Sequence, residues 1–147
     1  MLIHSSSQLL TLAGGPQRGH ALGTLGIIEN GAVIVRDETI VAVGTTAELK
    51  AAYPNEPTLD ASGCVLMPGF VDPHTHLIWA GDRANEFELK MSGMPYLDIL
   101  AAGGGILSTV KQTRAASMET LITQSRSRLL RMFVHGTTTA EAKTGYG

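Results

Sequence analysis

The chain has 147 residues, 44% of them apolar and 16% charged, enough for one ordinary domain with a core and far from the composition of a disordered segment. Eleven Lys+Arg against thirteen Asp+Glu give a formal charge of −2, which argues against a nucleic-acid partner, and no apolar stretch approaches the ~20 residues that span a bilayer. The single Cys64 cannot form an intrachain disulfide, and the N-terminus lacks the basic and unbroken apolar regions of a secretion signal, so the expected location is the cytoplasm.

In chain order, the first 66 or so residues read as short strands. Leu9-Leu10-Thr11-Leu12 ends at Gly14-Gly15-Pro16, and the glycine-rich stretch from 13 to 25 marks a loop. Gly26-Ile27-Ile28-Glu29 and Ala32-Val33-Ile34-Val35 flank Asn30-Gly31, a dipeptide that tolerates positive φ angles and predicts a two-residue hairpin turn. A second turn at Asp37-Glu38 leads into Ile40-Val41-Ala42-Val43, giving a meander. Thr45 or Thr46 is placed to cap a short helix, Ala47 to Tyr53, which Pro54 stops.

From Val65 the character changes. Val65-Leu66-Met67-Pro68-Gly69 turns the chain into Phe70-Val71-Asp72-Pro73-His74-Thr75-His76-Leu77, an apolar run that becomes polar at its end. Short helices are predicted over Phe87 to Met91 and Tyr96 to Ala102, the second ending at Gly103-Gly104-Gly105. The clearest helix runs from Met118 to His135. Ser117 is its N-cap, and Met118, Leu121, Ile122, Leu129, Met132 and Phe133 form a stripe expected to pack in a core. Thr137-Thr138-Thr139-Ala140-Glu141-Ala142 follows as a strand. Strand, helical crossover, strand is the unit from which parallel sheets and (β/α)8 barrels are built. The 81 residues from Met67 to Gly147 fall well short of the ~250 that close such a barrel.

His74-Thr75-His76 is the most informative feature. Side chains alternate along a strand, so His74 and His76 project to one side and can converge on one metal ion, while Thr75 points away. Pro73 is poorly suited to a strand interior and so places the pair at the strand's C-terminal end, the end that carries active sites in barrels. Asp72 is positioned either to anchor the backbone beside the pair or to orient a metal-binding imidazole from behind. The triple glycine does not form a phosphate loop, because no Gly-Lys-Ser/Thr follows it; flexible backbone near the mouth of a barrel is expected there.

Pro68-Gly69-Phe70-Val71-Asp72-Pro73-His74-Thr75-His76 resembles the first-strand metal motif of the amidohydrolase superfamily. Asp82-Arg83-Ala84-Asn85-Glu86-Phe87-Glu88, Gly103 to Val110 with Thr113 to Ser117, and Lys143-Thr144-Gly145-Tyr146-Gly147 narrow the resemblance to its imidazolonepropionase family. The resemblance covers essentially the whole chain. It implies an α/β fold in which a small β-sandwich domain (residues 1–66) precedes the first strands and helices of an incomplete TIM (β/α)8 barrel (residues 67–147).

The implied reaction is hydrolysis of the ring C–N bond of 4-imidazolone-5-propanoate to N-formimidoyl-L-glutamate in histidine degradation, with one Zn2+ or Fe3+ held by His74 and His76. Arg83, Tyr146 and Tyr96 are the implied substrate-binding residues, a planar Arg fork being suited to the substrate's carboxylate. The resemblance also implies a homodimer at full length. It assigns no catalytic acid or base within these 147 residues, so the chain alone is expected to be inactive and to bind metal weakly. A different amidohydrolase acting on a cyclic amide or amidine, or a non-catalytic metal-binding domain, are the competing readings.

Overall fold

The computed structural model describes residues 1–146; Gly147, the last residue of the Lys143–Gly147 stretch, lies outside the described residues. The chain divides into two compact units, Met1–Pro68 and the residues from Gly69 onward.

In the first unit, β1 (Leu2–Leu10) pairs antiparallel with β2 (Ile27–Arg36), which pairs antiparallel with β3 (Thr39–Thr45). The other side of β1 takes two short parallel strands, β4 (Thr58–Asp60) and β5 (Val65–Leu66), to complete one mixed five-stranded sheet. The strand predicted at Leu9 therefore begins at Leu2. Asn30-Gly31 is not a hairpin turn: β2 runs through it without a break, left-handed Ser5 (φ 60°) lies within the β1–β2 register shift between Ile3 and Ser6, and left-handed Asn30 (φ 49°) borders it, next to Gly31, the partner of Ser6.

The positive-φ tolerance that the dipeptide advertises serves an irregularity in the ladder instead. Its polar groups are satisfied, since fully buried Ser6 donates its hydroxyl to Gly31 O at 2.9 Å and Ser5 N donates to Thr46 Oγ1 at 2.8 Å. A Cβ on Gly31 would overlap the Leu9 side chain, so glycine permits the close approach of β1 and β2 there. The tight turn forms at Asp37-Glu38, both with positive φ (46° and 62°), as expected of a two-residue hairpin.

Helix α1 (Thr46–Ala52) covers one side of this sheet, where Leu2, Ala32, Ile34 and Leu49 form a buried cluster with Ala42 and Tyr53 against it. Its start is set by a reciprocal cap: Thr45 Oγ1 accepts from Glu48 N, and the Glu48 carboxylate accepts from Thr45 N at 2.9 Å. The Thr45 hydroxyl and then the Thr45 N–H hold the Glu48 carboxyl below its ordinary value of 4.5. Because the folded-state value is depressed, this contribution is present above the ordinary value and is lost as pH falls through the folded one. Thr45→Ala is expected to cost the unit about 1 kcal/mol at neutral pH. A denaturant titration checks this, and the deficit should shrink in acid as Glu48 protonates in the parent.

In the second unit, β6 (Phe70–Thr75) and β7 (Thr137–Ala142) pair in parallel, and four helices connect them: α2 (Ala84–Met91), α3 (Tyr96–Ala101), α4 (Ile106–Ala115) and α5 (Met118–Val134). Ser117 caps α5 as predicted, accepting from Thr120 N at 3.1 Å. Helix α4 is an addition to the sequence reading. Its N-cap is Gly105, which has no capping side chain, and its buried positions are Thr109 and Thr113, so neither a cap signal nor an apolar stripe marks it.

The stripe on α5 is also corrected: none of its residues is buried, and Phe133 is 64% exposed, because a two-stranded sheet is too narrow to cover a helix of this length. Among the described residues no helix is long and apolar enough to cross a membrane.

Candidate active site

The end of β6 is built around Asp72. Its carboxylate accepts from His74 N at 3.0 Å and from the Thr75 hydroxyl, and these two donors, Thr75 first, hold its pKa below the ordinary carboxylate range. Pro73 falls where the β6–β7 register shifts, between Asp72 and Thr75. The local turn brings the His74 and His76 rings to a centroid separation of 5.4 Å at an interplanar angle of 66°.

That separation can be tested against an ion. Two imidazoles bound tetrahedrally at ~2.1 Å hold their centroids ~5.3 Å apart. His76 Nδ1 is buried and has no hydrogen-bond partner among the described residues, a state that leaves a polar atom needing a ligand. The donor chemistry, two imidazoles, is that of zinc or iron. The pair therefore fits a metal. Among the described residues no third His, Cys, Asp or Glu joins it, so these two supply part of a coordination sphere. Glycine is required beside them: a Cβ on Gly145 would lie 2.6 Å from His76 Cε1 and 2.7 Å from Nδ1. The next residue, Tyr146, sets its ring 5.2 Å from that of His76.

Arg83 and Tyr146 line one cavity of about 150 Å3 together with Trp79, Asp82 and Thr109. Arg83 precedes α2, and its guanidinium reaches Glu86 only at 4.0 Å, the outer limit of an ion pair, with the side chain 46% exposed. Glu86 spends its Oε1 on Gly105 N at 2.8 Å. The Arg83 fork is thus available for a carboxylate. Tyr96, 62% exposed on α3, lies on a neighbouring cavity of about 250 Å3 that shares Arg83 with the first and is also lined by Glu86 and Phe87. The structure brings together His74, His76, Tyr146 and Arg83, and sets Tyr96 beyond Arg83.

The glycine triplet has a structural job. Left-handed Gly103 (φ 87°) ends α3, with Gly103 N donating to Leu100 O and Gly104 N to Ile99 O, and Gly105 starts α4. Helix α4 then supports the segment that carries Arg83: Thr113 Oγ1 accepts from Ala80 N at 3.1 Å, both residues being buried. Gln112 packs so closely on Gly81 that any side chain there would collide with its amide.

Sequence reasoning left Trp79 and Arg128 without a role. Arg128 on α5 donates to Leu77 O at 3.0 Å, Trp79 O at 2.9 Å and Gln124 Oε1 at 3.1 Å, and lies 3.6 Å over the Trp79 ring. Burial lowers its pKa. An Arg at the edge of the apolar stripe, beside Leu121 in helical projection, was the available signal. Glu141 and Lys143 pair with each other at 2.6 Å.

Comparison with known proteins gives concordant matches. Residues 31–55 match the family described as imidazolonepropionase-like composite domain, bacteria, and residues 57–121 match the amidohydrolase family. An imidazolonepropionase of Chloroflexus aggregans is 49% identical over 100% of this chain and 35% of its own length, and one of Herpetosiphon aurantiacus is 50% identical over 99% and 34%. The chain thus spans about a third of the curated relatives it matches.

Among solved structures, Escherichia coli guanine deaminase aligns at TM-score 0.60 and 19% identity, over 96% of this chain and 30% of that one. Helicobacter pylori aminofutalosine deaminase aligns at TM-score 0.57 and 20% identity, over 96% and 29%. At such identities these two likenesses show the fold.

Proposed function

We infer that this chain is part of an amidohydrolase, since residues 57–121 match that family and imidazolonepropionases align along its whole length. From that premise we propose that it supplies the first two metal ligands and the carboxylate anchor of an enzyme that opens the ring C–N bond of 4-imidazolone-5-propanoate. The observation that carries the reading is the continuity of the site: two imidazoles 5.4 Å apart, Tyr146 at 5.2 Å from His76, and Arg83 in the same cavity as Tyr146.

His74 and His76 would hold a zinc or iron ion, which when bound lowers the pKa of water toward neutrality and polarises a carbonyl. The residues of this chain do the rest of the work assigned to them by orientation. Asp72 fixes the turn that presents both imidazoles. Arg83 receives the propionate through its planar fork, which sets the ring's distance from the imidazoles. Tyr146 offers its hydroxyl to the substrate from beside His76, and Tyr96 closes the far side of Arg83. No acid–base residue is assigned among these 147 residues. The lone, exposed Cys64 suits a reducing cytoplasm.

The test compares two proteins for formation of N-formimidoyl-L-glutamate from 4-imidazolone-5-propanoate. This chain alone is expected to show no turnover. The same chain joined to the C-terminal two thirds of the Chloroflexus aggregans relative is expected to be active with zinc or iron and silent after chelation. Activity of the joined protein that survives chelation, or activity only on substrates lacking the carboxylate, would refute the proposal.

A further inference from the structure

We infer that Arg128 is a positioning residue that locks the segment following the histidine pair, so that the His76 imidazole and the Trp79 wall of the Arg83–Tyr146 cavity are held by one side chain on α5. The inference rests on the metal-site reading above.

Its basis is a set of contacts that a generic surface arginine does not make. One nitrogen, Nη1, donates to two carbonyls, Leu77 O at 3.0 Å and Trp79 O at 2.9 Å, which flank the turn directly after His76. The second nitrogen donates to Gln124 Oε1 at 3.1 Å, one helical turn back, and so fixes the rotation of the fork. The guanidinium plane covers the Trp79 ring at 3.6 Å. Ser125 adds a longer hydrogen bond to Leu77 O at 3.4 Å.

Among the described residues no carboxylate lies within ion-pair distance of half-buried Arg128, and its protein partners are two backbone carbonyls, the Gln124 amide oxygen and a ring face. Three of its five N–H groups are placed on protein oxygens, and only a planar fork can meet two carbonyls, an amide oxygen and an indole face together. Lysine keeps the charge but has a single compact head. The two ends of the clamp are the two halves of the candidate site: Leu77 adjoins His76, and Trp79 lines the cavity with Arg83 and Tyr146.

Trp79 is the chain's one tryptophan, so its fluorescence reports this contact selectively. Zinc alone is titrated, against a competing chelator, into the wild-type chain, His76→Ala, Arg128→Ala and Arg128→Lys, with Trp79 emission and acrylamide quenching recorded in parallel. The expected result is that both Arg128 variants bind zinc ~10-fold more weakly than wild type, in the range seen when residues supporting a ligand are removed. Trp79 should become easier to quench in both, and added guanidinium should restore zinc affinity to Arg128→Ala. If Arg128→Ala loses helicity by circular dichroism, Arg128→Lys decides. Wild-type zinc affinity in the folded Arg128 variants overturns the Arg128 assignment alone. A wild-type chain that takes up zinc no better than His76→Ala overturns the metal-site reading itself, and the assignment with it.

Discussion

Replacing His76 by alanine in the active joined protein is expected to lower turnover at least ~10³-fold, because a metal that polarises the reacting groups is worth several kcal/mol of barrier. His74→Ala should fall in the same range, and the double variant should be little worse than either single one, since the two imidazoles act on one ion. The geometry distinguishes this from general damage. His76 contributes a ring that touches Gly145 and Tyr146 and has a buried nitrogen without a partner, whereas His74 is exposed. A loss caused by packing would therefore be large at His76 and small at His74. Comparable losses at both, together with loss of bound metal measured by elemental analysis, are what a shared ion requires.

The second large effect is expected at Arg83. Hydrogen bonds to a charged partner contribute about 1.5–3 kcal/mol each when shielded, and this side chain is partly exposed, so the expected loss is held to about the strength of one such bond. Arg83→Met should raise KM for 4-imidazolone-5-propanoate ~10²-fold and leave kcat within a few-fold. Arg83→Lys should recover only part of the loss, because an ammonium cannot make the paired contact. An analogue in which an ethyl group replaces the propionate should show no difference between wild type and variant. A KM unchanged for the carboxylated substrate would remove Arg83 from the site and favour a different cyclic amide as substrate.

Much of this architecture is legible before any coordinates. The Asp37-Glu38 hairpin, the Thr45 cap, the Ser117 cap and the parallel β6–β7 pair follow from local chemistry: positive φ, a side-chain acceptor for an orphan N–H, and a strand–helix–strand order. The readings that failed depended on partners. Asn30-Gly31 carries the same dihedral signal whether the chain reverses or runs on beside a bulge, and only the pairing with β1 selects the continuous strand. Helix α4 lacks a capping side chain and buries threonines, so its stability comes from contacts such as Thr113 to Ala80 that no periodicity encodes.

The stripe on α5 is amphipathic by pattern, yet nothing among the described residues buries it. In the site, the spacing of His74 and His76 was visible, but the closeness of Tyr146 to His76 joins residues 70 positions apart and becomes visible only when β7 aligns with β6. Arg128 was hidden for the same reason, its partners lying about 50 positions away.

X-ray absorption at the zinc edge, on the chain loaded with one equivalent of zinc, tests the shared ion directly. The account predicts outer-shell scattering from two imidazoles with nitrogen at ~2.0–2.1 Å, falling to one imidazole in His74→Ala and in His76→Ala alike. A spectrum with oxygen scatterers alone, or one that either substitution leaves unchanged, would contradict it.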